Sequence, residues 1–495
     1  MTLNRLSSKV VDLCERADGV GDPVLADHAA RVAATVREPL CLAVAGRVSS
    51  GKSTLVNALL GRRVAPTRET ECTKLVTWYR HGPVEKVDVV LRRGGTRTVR
   101  LTPEGRLPED VGAPTADVER LEVRLPVAAL ERLTIVDTPG LASATGGHSA
   151  RTEAALGTGR RDDADASMMD ARSTEATGRA DAVLFVFAAS LRADERDTIG
   201  AFRRTTSPVG SPSPVNTLGV LTKADLLTDP GDDPWPVAER LAADFRTRLV
   251  HEVTEVVPVS GLLAETVAAG AFTEADADAL DLLAALDDRS LRRLLRTADA
   301  FRTRDVPVSG AVRASLLARL SLYGVDTAIA AVRGGARTAA GLTAVLAGRS
   351  RLQDVRGVVE KTFAARADAL KASAALARLG RMAWDRSLSG EGRAWLGDQV
   401  ELLRLDPAMH AIAELHALGE LTAGRARLPG DLEVEFRRLV DADREDGPVP
   451  SSHAELRGLG ERFARFAFDA APADAHVARV AARSIHLRRT DGSTR

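Results

Sequence analysis

Residues Leu42 to Leu59 read LAVAGRVSSGKSTLVNAL, and the fold is decided there. Leu42, Ala43, Val44 and Ala45 make an unbroken apolar run, as in a strand covered on both faces. Gly46 then opens the spacing G-x-x-x-x-G-K-S, and Ser53 to Leu60 continue as a helix. Strand, glycine loop and helix in that order form the context of a phosphate-binding loop. A triphosphate is densely anionic, so Gly46 and Gly51 allow the backbone to turn several N–H groups inward upon it. Lys52 brings a point charge to the β- and γ-phosphates, Ser53 carries a hydroxyl suited to Mg2+, and the helix start adds its positive dipole end. A glycine turn that merely joins strand to helix would explain neither the lysine nor the hydroxyl. Gly46, Arg47, Ser49, Ser50, Gly51, Lys52, Ser53 and Thr54 are therefore the expected nucleotide contacts of this loop.

At 495 residues the chain is too long for one hydrophobic core. Its 68 basic and 68 acidic residues cancel, which removes any global attraction to nucleic acid or anionic lipid and leaves only local patches. Of seven lysines, two (Lys52 and Lys223) fall inside nucleotide motifs. The three cysteines, Cys14, Cys41 and Cys72, lack metal-ligand spacing and are odd in number, which fits a reducing compartment and a cytoplasmic protein. The first forty residues are interrupted by charge, unlike a secretion signal, and no uninterrupted apolar run approaches the roughly 18 residues of a membrane span.

Residues 3–16 and 23–37 carry apolar positions at helical spacing, so helices precede the first strand. After the loop helix comes VAPTRETECTK, a polar stretch with three threonines ahead of the strand-like Leu75–Tyr79. A switch loop sits here, its threonine reaching Mg2+ and the γ-phosphate; Thr73, next to the strand, is the first choice, with Thr70 and Thr67 as alternatives. Val84–Leu91 and Thr96–Leu101 alternate around Gly94-Gly95 as a hairpin, and Val118–Leu125 and Leu133–Val136 read as further strands. The last runs into Asp137-Thr138-Pro139-Gly140, 85 residues after Lys52. In phosphate-loop GTPases a carboxylate so placed holds Mg2+, and the glycine N–H meets the γ-phosphate. Residues 141–178 read as a long switch extension, Ala182–Phe187 as a buried strand and Arg192–Arg204 as a helix. Strand Val215–Leu221 ends in Thr222-Lys223-Ala224-Asp225. That carboxylate can accept from both N1–H and the exocyclic amine of guanine, a donor pair adenine lacks, while Lys223 lays its stem over the ring. An Asp at a strand end can also cap a helix; following the two earlier motifs, guanine recognition is the expected role. Strand Val253–Val259 ends in Ser260-Gly261-Leu262, where a backbone N–H can meet guanine O6.

Strands alternating with helices up to about residue 265 describe an α/β domain with a mostly parallel sheet and an antiparallel extension. Beyond 270 the pattern is helical: Leu291, Leu294, Leu295 and Ala298 mark one helix, Val312 to Tyr323 begin a longer one, and residues 351–379 form a helix of roughly 40 Å if unbroken. Helices also follow near 393–405, 408–420, 430–444, 453–469 and 473–488, as an elongated all-α bundle. Trp384 and Trp395 lie in the connection after the longest helix. The expected division is 1–38, N-terminal helices packing on the bundle; 39–268, the nucleotide domain; and 269–495, a helical neck and trunk.

With these motifs in order and a long helical region behind them, the chain resembles the bacterial dynamin-like GTPases. EPLCLAVAGRVSSGKSTLVNALLGRRVAP, ECTKLVTWYRHGP and VVPVSGLL are most similar to the actinobacterial branch, the isoniazid-inducible and sporulation-associated dynamin-like proteins. The resemblance implies a GTPase head on a helical neck and trunk, GTP as substrate with Mg2+, and head-to-head dimerisation or pairing with a second dynamin-like protein. It also implies membrane work (fission, fusion or repair) with peripheral contact at the inner face of the cell membrane. It places Ser49 where dynamins carry a serine that stabilises charge developing in hydrolysis, which with Lys52 and Thr73 makes the catalytic set. Val48 stands where eukaryotic dynamins carry glutamine, and Arg47 is a charge-stabilising candidate by proximity. Two other function classes compete: a regulatory or assembly-factor GTPase acting on protein partners without membrane work, and a scaffold that binds GTP without turning it over. The neutral charge and the lack of a basic, aromatic-studded module disfavour nucleic acid as a partner.

Overall fold

A computed structural model of the chain describes residues 5–67, 75–138, 180–189, 214–441 and 453–491. Its centre is a nine-stranded sheet. The strands are β1 (Leu40–Gly46), β2 (Thr77–His81), β3 (Lys86–Leu91), β4 (Thr96–Val99), β5 (Val118–Leu125), β6 (Leu133–Asp137), β7 (Ala182–Phe187), β8 (Thr217–Leu221) and β9 (Val256–Pro258). They lie in the order β4-β3-β5-β2-β6-β1-β7-β8-β9. From β6 to β9 all neighbours are parallel, and β2, antiparallel to β6, starts the extension that ends in the β3–β4 hairpin. The strands at the centre are buried throughout because helices cover both faces, which is why β1, β7 and β8 are runs of apolar residues without alternation.

On one face Leu55, Val56 and Leu59 of the loop helix (Lys52–Leu60) join Leu42, Val44 and Ile135, together with Leu352, Val355, Val359 and Phe363 from the helical half. On the other, Ala242 and Phe245 of the helix Trp235–Arg248 pack on Phe185 and Phe187. The N-terminal helices Arg5–Arg16 and Pro23–Arg37 pack against Ala367–Met382 and Gly390–Leu405. There the Asp368 carboxylate accepts from the backbone N–H groups of Leu6 and Ser7, each at 2.9 Å. The last four helices, His410–Thr422, Gly430–Asp441, His453–Asp469 and Pro472–Asp491, share a further core around Phe436, Phe463 and Ile485.

Several expectations are corrected. The helix expected over 351–379 is two, Leu352–Thr362 and Ala367–Met382, separated by a 3₁₀ turn at Ala364–Arg366. No proline or glycine breaks it; Phe363 turns into the core of the sheet while Ala375, Leu376 and Leu379 face the N-terminal helices, so one straight helix could not serve both cores. The helix expected through Leu291–Ala298 ends at Leu295, and Thr297 caps a second one, Ala298–Thr303, by accepting from Ala300 N–H. Trp395 lies on the helix Gly390–Leu405 rather than in a connection, whereas Trp384 is 83% exposed. One described helix, Gly310–Arg333, is long and apolar enough to span a membrane by composition. Arg319 and Asp326 interrupt it, so a search for an unbroken run passes over it, and Leu316, Leu320, Val325, Ile329 and Val332 are buried in a core with the helices around it.

Candidate functional site

The phosphate-binding loop joins the end of β1 to the loop helix, and its shape is set by contacts with neighbouring strands. A Cβ on Gly46 (φ +147°) would lie 2.1 Å from the Val186 carbonyl oxygen, so β1 and β7 approach closely here because residue 46 has no side chain. Ser49 is exposed at φ 62°, and Gly51 (φ +93°) precedes the first helical residue and packs against the Thr222 side chain. The N–H groups of the helix's first turn have no carbonyl partner within the helix and form the anion-binding end. Lys52 is buried and its Nζ donates to the Arg47 carbonyl at 2.6 Å. The Ser50 side chain is buried as well, its Oγ without a hydrogen-bond partner among the described residues.

β6 delivers Asp137 opposite Val44 of β1. Ser53 Oγ donates to Asp137 Oδ2 at 2.9 Å, and Thr138 Oγ1 donates to the Val44 carbonyl at 2.9 Å, which anchors the exit of β6. The other Asp137 oxygen, Oδ1, is buried with no hydrogen-bond partner among the described residues. Burial pushes the Asp137 carboxyl up to about 6, opposed by the Lys52 charge and the Ser53 hydroxyl. Burial also pulls the Lys52 ammonium down to about 8, opposed by Asp137. A buried carboxylate with an unused oxygen, a hydroxyl beside it and a lysine within range is a donor set that suits a small divalent cation, which takes few protein oxygens and completes its shell with phosphate and water.

The residues expected on the guanine side converge on the same rim. Thr222 Oγ1 donates to the Ser50 carbonyl at 2.5 Å, so the loop after β8 is fastened to the phosphate-binding loop. Lys223 takes a left-handed conformation (φ 57°) and is exposed, which aims Asp225 back into the site, where it is 8% exposed. Ser260 and Gly261 begin the helix Gly261–Ala268, and a Cβ on Gly261 would touch Thr54 at 3.7 Å. Ser260 is buried, and its N–H donates to the Ser350 carbonyl at 3.1 Å. The structure thus brings together Gly46, Arg47, Ser49, Ser50, Gly51, Lys52, Ser53, Thr54, Asp137, Thr222, Lys223, Asp225, Ser260 and Gly261 at the C-terminal ends of β1, β6, β8 and β9, where open parallel sheets bind ligands. Thr70, Thr73 and Gly140, with residues 141–178 and the expected helix 192–204, lie outside the described residues. Thr67 lines a cavity of about 530 Å³ shared with Thr54, Asn57, Arg106 and Arg319.

Two contributors escaped the sequence reading. Asn57 of the loop helix holds the chain that leads toward the threonines: its Oδ1 accepts from Val64 and Ala65 N–H at 3.0 and 2.7 Å, and its Nδ2 donates to the Ala65 carbonyl and to Glu265 at 3.0 and 2.7 Å. A polar residue on the buried side of an otherwise apolar helix was the available signal. Ser321, whose Oγ donates to Asp225 Oδ2 at 2.9 Å, lies in the middle of a helical pattern and left none.

A model of the dynamin family matches residues 42–224. The chain is 34% identical over 467 residues to the isoniazid-induced protein IniC of Mycobacterium tuberculosis, across 92% of this chain and 88% of that one. It is 30% identical over 129 residues to a bacterial dynamin-like protein of Nostoc punctiforme, across 23% of this chain and 18% of that one. Among solved structures, an oligomerised bacterial dynamin pair, described as a mechanism for long-range sensing and tethering of membranes, aligns with 99% of this chain and 74% of its own at 14% identity and a TM-score of 0.33.

Proposed function

The chain belongs to the dynamin family of GTPases, and on that premise we propose that it couples GTP hydrolysis to dimerisation and to remodelling of a membrane surface that it contacts peripherally. The observation that carries the nucleotide part is the convergence of four segments distant in sequence on one rim of the sheet, with a buried acid, a buried lysine and the half-buried Ser53 hydroxyl between them. The loop from Gly46 to Thr54 cradles the phosphates, with Lys52 on the β- and γ-oxygens. Ser53 and Asp137, with Thr73, would hold Mg2+, which would supply neutralisation of the phosphate charge. Gly140 meets the γ-phosphate. Lys223 covers the base, Thr222 fastens its loop, Asp225 accepts from the guanine edge, and the turn at Ser260-Gly261 faces O6. Ser49, and Arg47 beside it, stabilise charge that develops as the γ-phosphate leaves.

Two nucleotide sites facing each other in a dimer, of like chains or with a second dynamin-like protein, would let each close the other and so exclude water. The helices from 269 onward, with 1–38 packed on them, act as the lever. The work is done at the inner face of the cell membrane. The test is GTP turnover per mole of protein across a range of protein concentrations, with and without vesicles of anionic lipid, followed by electron microscopy of the vesicles. Turnover that rises with concentration, and vesicles that deform or join only with GTP, are expected. Turnover independent of concentration would overturn the dimer. Vesicles neither bound nor altered, by the protein alone or with the product of the adjacent gene, would overturn the membrane role and leave a GTPase that acts on protein partners.

A further inference from the structure

Asp225 is held from outside its own loop. Its Oδ2 accepts from Ser321 Oγ at 2.9 Å, and Ser321 sits 96 residues further on, inside the helix Gly310–Arg333. That helix is broken at this residue: Ser321 has φ 59° and ψ 179°, a conformation an L side chain keeps only when its surroundings enforce it. The surroundings come from the guanine side of the site. Thr266, on the helix that follows Ser260, donates through Oγ1 to the Arg319 carbonyl at 2.6 Å, just ahead of the break. Just beyond it, Gly324 lies so close to that same helix that a Cβ would be 2.4 Å from Leu263 Cδ2. Tyr323 packs with Ala224 and Trp235, and its hydroxyl accepts from Trp235 Nε1 at 2.8 Å. The break is therefore gripped by segments that follow both loops the proposed site uses for the base: Ala224 with the start of the helix Trp235–Arg248 on one side, and the helix Gly261–Ala268 on the other.

We infer that Ser321 is a positioning residue for guanine recognition, and that through it the broken helix senses whether guanine is bound. The inference rests on the proposed guanine reading by Asp225. A carboxylate offers about four acceptor positions. The N1–H and exocyclic amine of guanine use one on each oxygen, and Ser321 uses another on Oδ2, so the hydroxyl fixes the plane of the carboxylate without occupying a position the base needs. Hydrogen bonds to a charged acceptor are the strong ones, and one that sets its orientation matters most when two parallel bonds must form at once. Linkage makes the effect reciprocal: whatever factor Ser321 adds to guanine affinity, bound guanine adds to the stability of the Ser321 contact and of the helix break.

The test uses the full chain and the variants Ser321→Gly and Asp225→Asn. Glycine accepts the backbone conformation at 321, so the change removes the hydroxyl and leaves the break unstrained. Dissociation constants are measured for GDP and for IDP, which lacks the exocyclic amine, and amide hydrogen exchange is followed over 318–326 with and without GDP. Ser321→Gly is expected to weaken GDP by about tenfold, to narrow the GDP over IDP preference, and to abolish the GDP-dependent protection of 318–326. A role in packing alone would leave the GDP over IDP ratio where it was. If Asp225→Asn loses guanine preference while Ser321→Gly keeps the wild-type affinity and ratio, or binds GDP more tightly, the positioning role is overturned. If Asp225→Asn keeps its preference, the guanine assignment falls and the inference with it.

Discussion

Replacing Gly46 by alanine should open the junction between β1 and β7 and remove nucleotide binding with it. The added Cβ would sit 2.1 Å from the Val186 carbonyl oxygen, more than 1 Å inside ordinary contact, and that oxygen belongs to a central strand rather than to a flexible side chain. The strands must part locally, at the expense of about two ladder hydrogen bonds at roughly 1 kcal/mol each. Alanine at φ +147° adds about 1–3 kcal/mol of backbone strain. The sum, roughly 3–5 kcal/mol, corresponds to a fall of roughly 10 °C in the unfolding midpoint of a domain of this size. Thermal unfolding followed by circular dichroism, with titration of a fluorescent GTP analogue on the same samples, measures both consequences. A midpoint within about 2 °C of wild type and unchanged affinity would refute the reasoning, because the loop would then not depend on close approach of the two strands.

Lys52→Ala should abolish GTP binding, and wild-type affinity in an equilibrium titration would refute the phosphate-binding role. Asp225→Asn should shift preference from GTP toward xanthosine triphosphate, read as the ratio of the two dissociation constants; an unaltered ratio would remove Asp225 from guanine recognition. Asn57→Ala strands the Ala65 N–H and takes the amide donor from the buried Glu265 carboxylate, while Val64 N–H keeps the Arg62 carbonyl at 3.2 Å; the change should cost about 3 kcal/mol in denaturant unfolding, since each buried group left unpaired costs roughly 1–3 kcal/mol. Affinity for Mg2+ with GTP should peak between about pH 6 and pH 8. Below that window Asp137 of the free protein carries a proton that a cation must displace, and above it Lys52 has lost the proton that the phosphates require, so a flat profile from about pH 5 to pH 9 would refute the pairing.

The nucleotide motifs were legible because each is a local solution to a local problem. Gly46 and Gly51 are glycines for backbone reasons, and Asp137 and Asp225 stand at the ends of apolar runs long enough to be strands whatever surrounds them. The helical half was legible as helix but not as architecture. Phe363 and Leu379 both sit at helical spacing, yet one belongs to the core of the sheet and the other to the core around the N-terminal helices.

Sequence by itself determined that the Gly46–Ser53 loop, Asp137 and Asp225 follow one another along the chain, each at or just beyond the end of a strand (β1, β6 and β8), because spacing along a chain records the order of strands and loops. Tertiary structure alone decided what holds those groups: Ser53 on Asp137, Thr222 on the Ser50 carbonyl, Asn57 beneath the root of the threonine loop, and Ser321 on Asp225 from a broken helix. The physical reason is that these are hydrogen bonds between groups as far as 172 residues apart, formed where burial has removed water as an alternative partner. No periodicity along the chain encodes which distant partner a buried polar group will meet.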